Sequence, residues 1–136
     1  MSEEKQSIKV LVVDDNPDIL TLFVELLQLK GVVVAGKGRN GQEAIELYRA
    51  LNPDITFLDV VMPNGDGIYA LEKIREINPT AIVIMVTSDI SATTSERLVQ
   101  LRASAVIHKP FDINDILDVV KDLISKTNVN GIKFFN

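Results

Sequence analysis

Five short runs of β-branched and other apolar residues alternate with five amphipathic stretches, and this alternation narrows the folds open to the chain more than any other feature. The runs are Ile8 to Val13, Val32 to Ala35, Asp54 to Leu58, Ala81 to Val86 and Ala105 to His108. Between them apolar residues recur at helical spacing: Leu20, Phe23, Leu26 and Leu27, then Ala44, Leu47 and Tyr48, then Ala70, Leu71, Ile74 and Ile77, then Leu98 and Leu101. A last helix is predicted from a cap at Asp112 to about Ser125. The punctuation agrees. Asn16 suits a helix N-cap, Pro17 the first helical position and Gly31 a helix stop. Asn40-Gly41-Gln42-Glu43 has capping-box spacing. Pro53 and Pro79 end helices, Met62-Pro63-Asn64-Gly65-Asp66-Gly67 is turn chemistry, and Ser91 suits a further cap.

Nearly continuous apolar strands imply a parallel sheet buried on both faces, and right-handed crossovers then place helices on both sides. The predicted fold is α/β and doubly wound, with one domain over residues 1–125 and residues 126–136 as a tail or the start of a linker. In that tail, Asn130-Gly131 is a turn signal and Ile132, Phe134 and Phe135 are apolar.

Composition removes several kinds of function. A chain of 136 residues with 46% apolar and 24% charged residues suits one globular domain. The absence of cysteine excludes disulfides, thiolate metal sites and a cysteine nucleophile. No apolar run approaches the ~20 residues that span a bilayer, and Met1 to Lys9 does not read as a secretory signal, so a cytoplasmic location without membrane contact is expected. The net charge of −5 and the scattered Lys and Arg residues argue against direct nucleic-acid binding.

In open parallel sheets, ligands bind beyond the carboxyl ends of the strands. There the first strand places Asp14 and Asp15, the third Asp59, the fourth Thr87 and Ser88, and the fifth Lys109 and Pro110. Three carboxylates in one crevice repel one another, and one lysine cannot neutralise them; a raised pKa or a bound cation resolves the repulsion. Oxygen ligands without His or Cys select a hard cation, Mg²⁺ first, with Mn²⁺ as a substitute. A cation beside a free carboxylate suits phosphoryl transfer, for which Lys109 supplies a charge and Thr87 a hydroxyl donor. Each feature taken alone also reads as a cap, a turn or a solvated side chain; their joint placement carries the argument.

These residues carry a resemblance. Val12-Val13-Asp14-Asp15-Asn16, Leu58 to Gly67, Val86-Thr87-Ser88 and Lys109-Pro110-Phe111 resemble, in order and position, the motifs of response-regulator receiver domains, the family of the bacterial chemotaxis regulator. The resemblance implies strand order 2-1-3-4-5 and a two-component signalling role in which Asp59 accepts a phosphoryl group from a histidine kinase or phosphotransfer protein. It implies Asp15 as the direct metal ligand, Asp14 acting through water, the Val61 backbone carbonyl as a further ligand, Thr87 as the hydroxyl that follows the phosphoryl group, and Lys109 paired with Asp59 or its phosphate. It also implies a cis Lys109-Pro110 peptide. The chain is then no turnover enzyme on an external substrate, only a phosphoacceptor with self-phosphorylation and autodephosphorylation chemistry.

The chain departs from the family pattern where Val106 replaces the usual aromatic, where Ser88 follows Thr87, and where Arg102-Ala103 replaces a usual Gly-Ala. His108, the single histidine, reads as structural or surface, and Glu72, Lys73, Arg75 and Glu76 as a solvated helix face. The broad apolar face of the last helix suggests a downstream protein partner, or a homodimer on activation, docking around Val106 and Val119; a core face is the competing reading. Two alternatives stand beside the receiver: a haloacid-dehalogenase-type phosphatase, which wants an Asp-x-Asp pattern absent from Asp14-Asp15-Asn16, and an interaction module that works without phosphorylation. A flavin-binding fold is disfavoured because an acidic pair would repel phosphate after the first strand.

Overall fold

Local signals in the chain set where each element begins and ends. The computed structural model describes residues 7–62, 66–89 and 91–125, and for the backbone alone residues 133–135. Strand β1 is Lys9–Val13, followed by α1 Pro17–Leu29, β2 Val33–Gly38, α2 Gly41–Leu51 and β3 Ile55–Asp59. Then come α3 Gly67–Ile77, β4 Val83–Thr87, α4 Ala92–Gln100, β5 Ala105–His108, α5 Ile113–Ser125 and β6 Lys133–Phe135. Asn16 Oδ1 caps α1 by accepting from the Asp18 and Ile19 N–H groups at 2.9 and 3.1 Å. Gly31, at φ 85°, ends it, and the Val32 N–H closes back on the Leu27 carbonyl at 3.0 Å. Asn40 caps α2 through the Glu43 N–H, but the Glu43 carboxylate takes the Arg39 N–H, one residue before the cap. Asp66 caps α3 and Ser91 caps α4 as N-cap residues, and Asp112 Oδ1 accepts the Asn114 N–H at the start of α5. Pro63, Asn64 and Gly65 of the expected turn, and the Asn130-Gly131 turn, lie outside the described residues.

The strands form one parallel sheet in the order β2-β1-β3-β4-β5-β6. The expected α/β class and the order 2-1-3-4-5 therefore hold, with a sixth strand added beyond β5. That strand comes from the tail, which the sequence places outside the pattern; Lys133, Phe134 and Phe135 pair with Ala105, Val106 and Ile107. Three residues are too few to show a period of two, so only the pairing reveals the strand.

Alternate residues of each strand face opposite layers. Leu11, Val13, Leu58, Val83, Met85 and Val106 join Ala44, Ile45, Ala70, Leu71, Ile74 and Leu98 under α2, α3 and α4. Val10, Val12, Phe57, Ile84 and Ile107 join Phe23, Leu27, Ile116 and Val119 under α1 and α5. Phe23 stacks edge-on against Phe57, with ring centroids 5.0 Å apart.

Two expectations need correction. Val106 and Val119 are 2% and 1% exposed, so neither offers a docking surface; with Ile116 and Val120 they belong to the core, while Ile124 of α5 stays exposed. Arg75 is not on a solvated face. It is buried, and its guanidinium donates to the carbonyls of Ala81, Leu101 and Arg102, tying α3 to the approach to β4 and to the turn before β5. The helical period places Arg75 beside Ile74, but only the packed approach to β4 and the turn before β5, with Arg102 at φ 58°, together supply the carbonyls that can hold a buried cation.

Candidate functional site

Parallel strands end at the same edge, so the residue that follows each strand is brought to a common crevice. Asp14, directly after β1, is fixed by its own backbone, whose N–H donates to the Gly38 carbonyl at 3.1 Å. Its Oδ1 accepts the Asn16 N–H at 2.9 Å, which orients Oδ2 toward the Lys109 ammonium at 2.8 Å. Asp59, the last residue of β3, lies 3.4 Å from the same ammonium. The lysine thus sits closer to Asp14 than to Asp59, because the Asn16 contact has already aimed the Asp14 carboxylate. Asp15 is exposed at the rim, and one oxygen from each of Asp14, Asp15 and Asp59 falls within 4.8 Å of the others.

Thr87 ends β4 and is 1% exposed; its Oγ1 accepts the Asp89 N–H at 2.9 Å. Its carbonyl accepts the Lys109 N–H at 2.9 Å, which registers the base of the lysine on β4. The Lys109-Pro110 peptide is cis, and Phe111 beyond it packs on Phe23 at 4.8 Å between centroids. On the other flank the Gly67 N–H donates to the Val60 carbonyl at 2.8 Å, so α3 starts directly on the segment that follows Asp59. Val61, two residues beyond Asp59 in the chain, has a well-exposed side chain. His108 ends β5, opposite Thr87, and is partly buried.

The electrostatics follow from this crowding. Burial pushes the Asp59 carboxyl up to about 6; Lys109 pulls it down, and the charges of Asp14 and Asp15 push it up again. For Lys109, burial pulls the ammonium down, but the hydrogen bond to Asp14 and the charges of Asp59 and Asp14 outweigh it and hold the pKa above the ordinary lysine value. A carboxyl whose folded pKa lies above its unfolded value of 3.8 stabilises the fold below pH 3.8 and loses that contribution as pH rises through about 6. Asp59→Asn is therefore expected to stabilise the protein by about 2 kcal/mol at pH 8 in EDTA, with the gain shrinking toward pH 4. Urea denaturation of both proteins across that range measures it; a loss of stability at pH 8 contradicts the reading.

Three clustered carboxylate oxygens with no nitrogen or sulfur ligand among them form a donor set that fits a small hard cation. One ammonium leaves negative charge uncompensated, and a divalent ion matches it. Sequence reasoning missed Asp89, whose place between Thr87, Ser91 and Thr94 is visible only as an Asp-x-Ser-x-x-Thr spacing, a weak signal on its own.

A doubly wound parallel sheet with an acidic cluster, a hydroxyl and a lysine at the carboxyl ends of β1, β3, β4 and β5 defines a receiver-type signalling domain. The sequence profile of the response regulator receiver domain matches residues 10–121, and the chain belongs to that family. It is 34% identical over 117 residues to the chemotaxis protein CheY of Halobacterium salinarum, covering 86% of this chain and 97% of that one. It is 31% identical to CheY of Thermotoga maritima, covering 82% and 93%. Its fold matches a CheX–CheY–BeF3–Mg²⁺ complex from Borrelia burgdorferi with TM-score 0.82 and 29% identity, over 88% of this chain and 90% of that one. A CheY-like receiver domain from Methanospirillum hungatei matches with TM-score 0.83 and 26% identity, over 88% and 94%. The chain is thus a receiver domain of two-component signalling rather than a metabolic enzyme. Among the described residues, no helix is long and apolar enough to cross a membrane.

Proposed function

We propose that Asp59 is the phosphoacceptor and that it takes its phosphoryl group from a phosphohistidine of a histidine kinase or phosphotransfer protein. The observation that carries this reading is the joint placement of Asp59 with Asp14, Asp15 and Lys109: a buried carboxylate among like charges, with one cation in reach. A carboxylate oxygen of Asp59 attacks phosphorus in line, the phosphorus–nitrogen bond breaks, and its electron pair returns to the imidazole. Lys109 then has a new anion to pair with, in exchange for its contact to Asp59. Thr87 Oγ1 uses a lone pair for the Asp89 N–H, so its own proton stays available for a phosphoryl oxygen. Asp15, Asp14 through water, Asp59 and the Val61 carbonyl are the groups proposed to hold Mg²⁺, with Mn²⁺ as a substitute. The ion supplies charge neutralisation for the three phosphoryl oxygens. Gly67 keeps α3 tight on the Asp59–Val60 backbone and so keeps the site in shape.

The outer face of α1 supports a helical donor. Ile19, Leu22, Leu26 and Leu29 recur at three- and four-residue spacing on the side away from the core, with Leu22 and Leu29 55% and 80% exposed. The stripe starts one turn from Asp15, where a docked helix would present its histidine to the crevice. A downstream partner, or a second copy after activation, is proposed to read the phosphorylated state through α4, β5 and α5, but not through the buried Val106 and Val119. The Borrelia chain, captured with CheX and a phosphoryl analogue, is a precedent of that kind.

Intact mass after acetyl phosphate and Mg²⁺ tests the assignment. One phosphoryl group is expected on the wild type, and none on Asp59→Asn or in EDTA. Equal labelling of both proteins removes Asp59 from its role, and turnover of many phosphate esters favours the phosphatase alternative.

A further inference from the structure

The hydroxyl at the end of β4 is joined to α4 through one side chain. The Asp89 N–H donates to Thr87 Oγ1 at 2.9 Å. Asp89 Oδ1 accepts the Ser91 N–H at 2.9 Å, and Oδ2 accepts the Thr94 hydroxyl at 2.8 Å. The Ser91 N–H first, then the hydroxyls of Thr94 and Ser91, hold the Asp89 carboxyl below the usual carboxylate range. Ser91 is itself the N-cap of α4, accepting the Thr94 N–H at 3.2 Å.

Helix α4 has little else to hold it. Leu98 is its one buried residue, whereas α1 buries Leu20, Phe23, Val24 and Leu27, and α3 buries Gly67, Ala70, Leu71, Ile74 and Arg75. A cleft of about 270 Å³ lies along it, lined by Ile68 of α3 and by Thr93, Thr94 and Arg97 of α4. An element with so few buried contacts opens at low free energy, and its cap is a large share of what keeps it closed. Val106, by contrast, is a buried branched side chain in the core layer that also contains Leu98. It has neither a polar atom nor a long side chain with which to report a change at Thr87.

We propose that Asp89 is the positioning residue that passes the phosphorylation state of Asp59 from Thr87 to α4, so that α4, and not position 106 of β5, is the element that moves. The proposal rests on the reading of Asp59 as phosphoacceptor. A phosphoryl group on Asp59 draws Thr87 Oγ1 toward its oxygens. The Asp89 N–H then loses its acceptor or follows it. Either way the Asp89 carboxylate is displaced from the Ser91 N–H and the Thr94 hydroxyl, and the first turn of α4 is released.

Hydrogen exchange of residues 91–100, read with and without BeF3⁻ and Mg²⁺, tests this while fluorine NMR follows the bound analogue. In the wild-type protein the analogue is expected to speed exchange at the start of α4 about fivefold, the change expected when the Asp89 hydrogen bonds that brace the Ser91 cap are lost. In Asp89→Ala, exchange is expected to be fast already and to change no further, although the analogue still binds. Asp89→Asn keeps an oxygen for the Ser91 N–H and a polar partner for Thr94, and should restore the response. A full fivefold response in Asp89→Ala overturns the proposal, as does bound analogue without acceleration in the wild type. Failure of the analogue to bind the wild type sinks the phosphoacceptor reading itself, and the relay with it.

Discussion

Gly67→Ala is expected to destabilise the protein by about 3 kcal/mol and to weaken binding of a phosphoryl analogue at Asp59. A Cβ at this position would lie 1.9 Å from the Asp59 carbonyl oxygen and 2.9 Å from the Val60 Cα. Both neighbours are backbone, so no side chain can turn away. Helix α3 must lift off the end of β3, which costs the Gly67 N–H bond to the Val60 carbonyl and moves the segment that carries Asp59 and Val61. The cause is close approach rather than backbone conformation, so a larger residue should be worse than alanine. Urea denaturation gives the stability change, and titration with BeF3⁻ and Mg²⁺ gives the binding change. A stability loss under about 1 kcal/mol, with binding intact, would show that α3 can yield without disturbing the site.

Arg75→Ala is expected to cost about 4 kcal/mol and to lower the melting temperature by about 10 °C, with labelling of Asp59 retained below the transition. The guanidinium has three backbone carbonyls as partners, and truncation leaves the buried carbonyl of Ala81 and the half-buried carbonyls of Leu101 and Arg102 without that donor. Burial, and then the charge of Arg102, hold the Arg75 pKa below the ordinary arginine value, while the three carbonyls supply its hydrogen bonds. Arg75→Lys should recover little, because an ammonium cannot span three carbonyls set out for a planar fork. Thermal unfolding of the three proteins checks the order wild type, Lys, Ala. Because the clamp lies at the end of the sheet opposite the acidic cluster, loss of labelling in the folded variant would show that the turn before β5 also governs Lys109.

Much of the fold was legible because its signals are local. Asn16, Asn40, Ser91 and Asp112 each mark a helix start by a hydrogen bond made within a few residues, and those bonds form where the spacing predicts. The strand cores were legible because a parallel sheet covered on both faces demands uninterrupted apolar runs. Strand ends were less so. Strand β2 runs on through Gly36 to Gly38, past the apolar run, because it pairs by backbone with Leu11 and Val13, and backbone pairing leaves no trace in side-chain type.

The polar residues of the crevice were legible for a related reason. Once the strands are parallel, the residue after each one must stand at the same edge, so Asp14, Asp15, Asp59, Thr87 and Lys109 could be placed together before any geometry was known. Their order of approach could not. That Lys109 lies nearer Asp14 than Asp59 depends on the Asn16 N–H, which orients one carboxylate and not the other.

The sequence by itself thus determined the succession of elements, their caps and the chemistry gathered at the ends of the strands, because each of these depends on neighbours in the chain or on the periodicity of one element. Only the tertiary structure decided that Arg75 is a buried clamp, that Val106 and Val119 are core, that residues 133–135 form a sixth strand, and that Asp89 links Thr87 to α4. Each of these rests on contacts between segments distant in the chain or on backbone groups common to every residue, and neither leaves a pattern in the order of side chains.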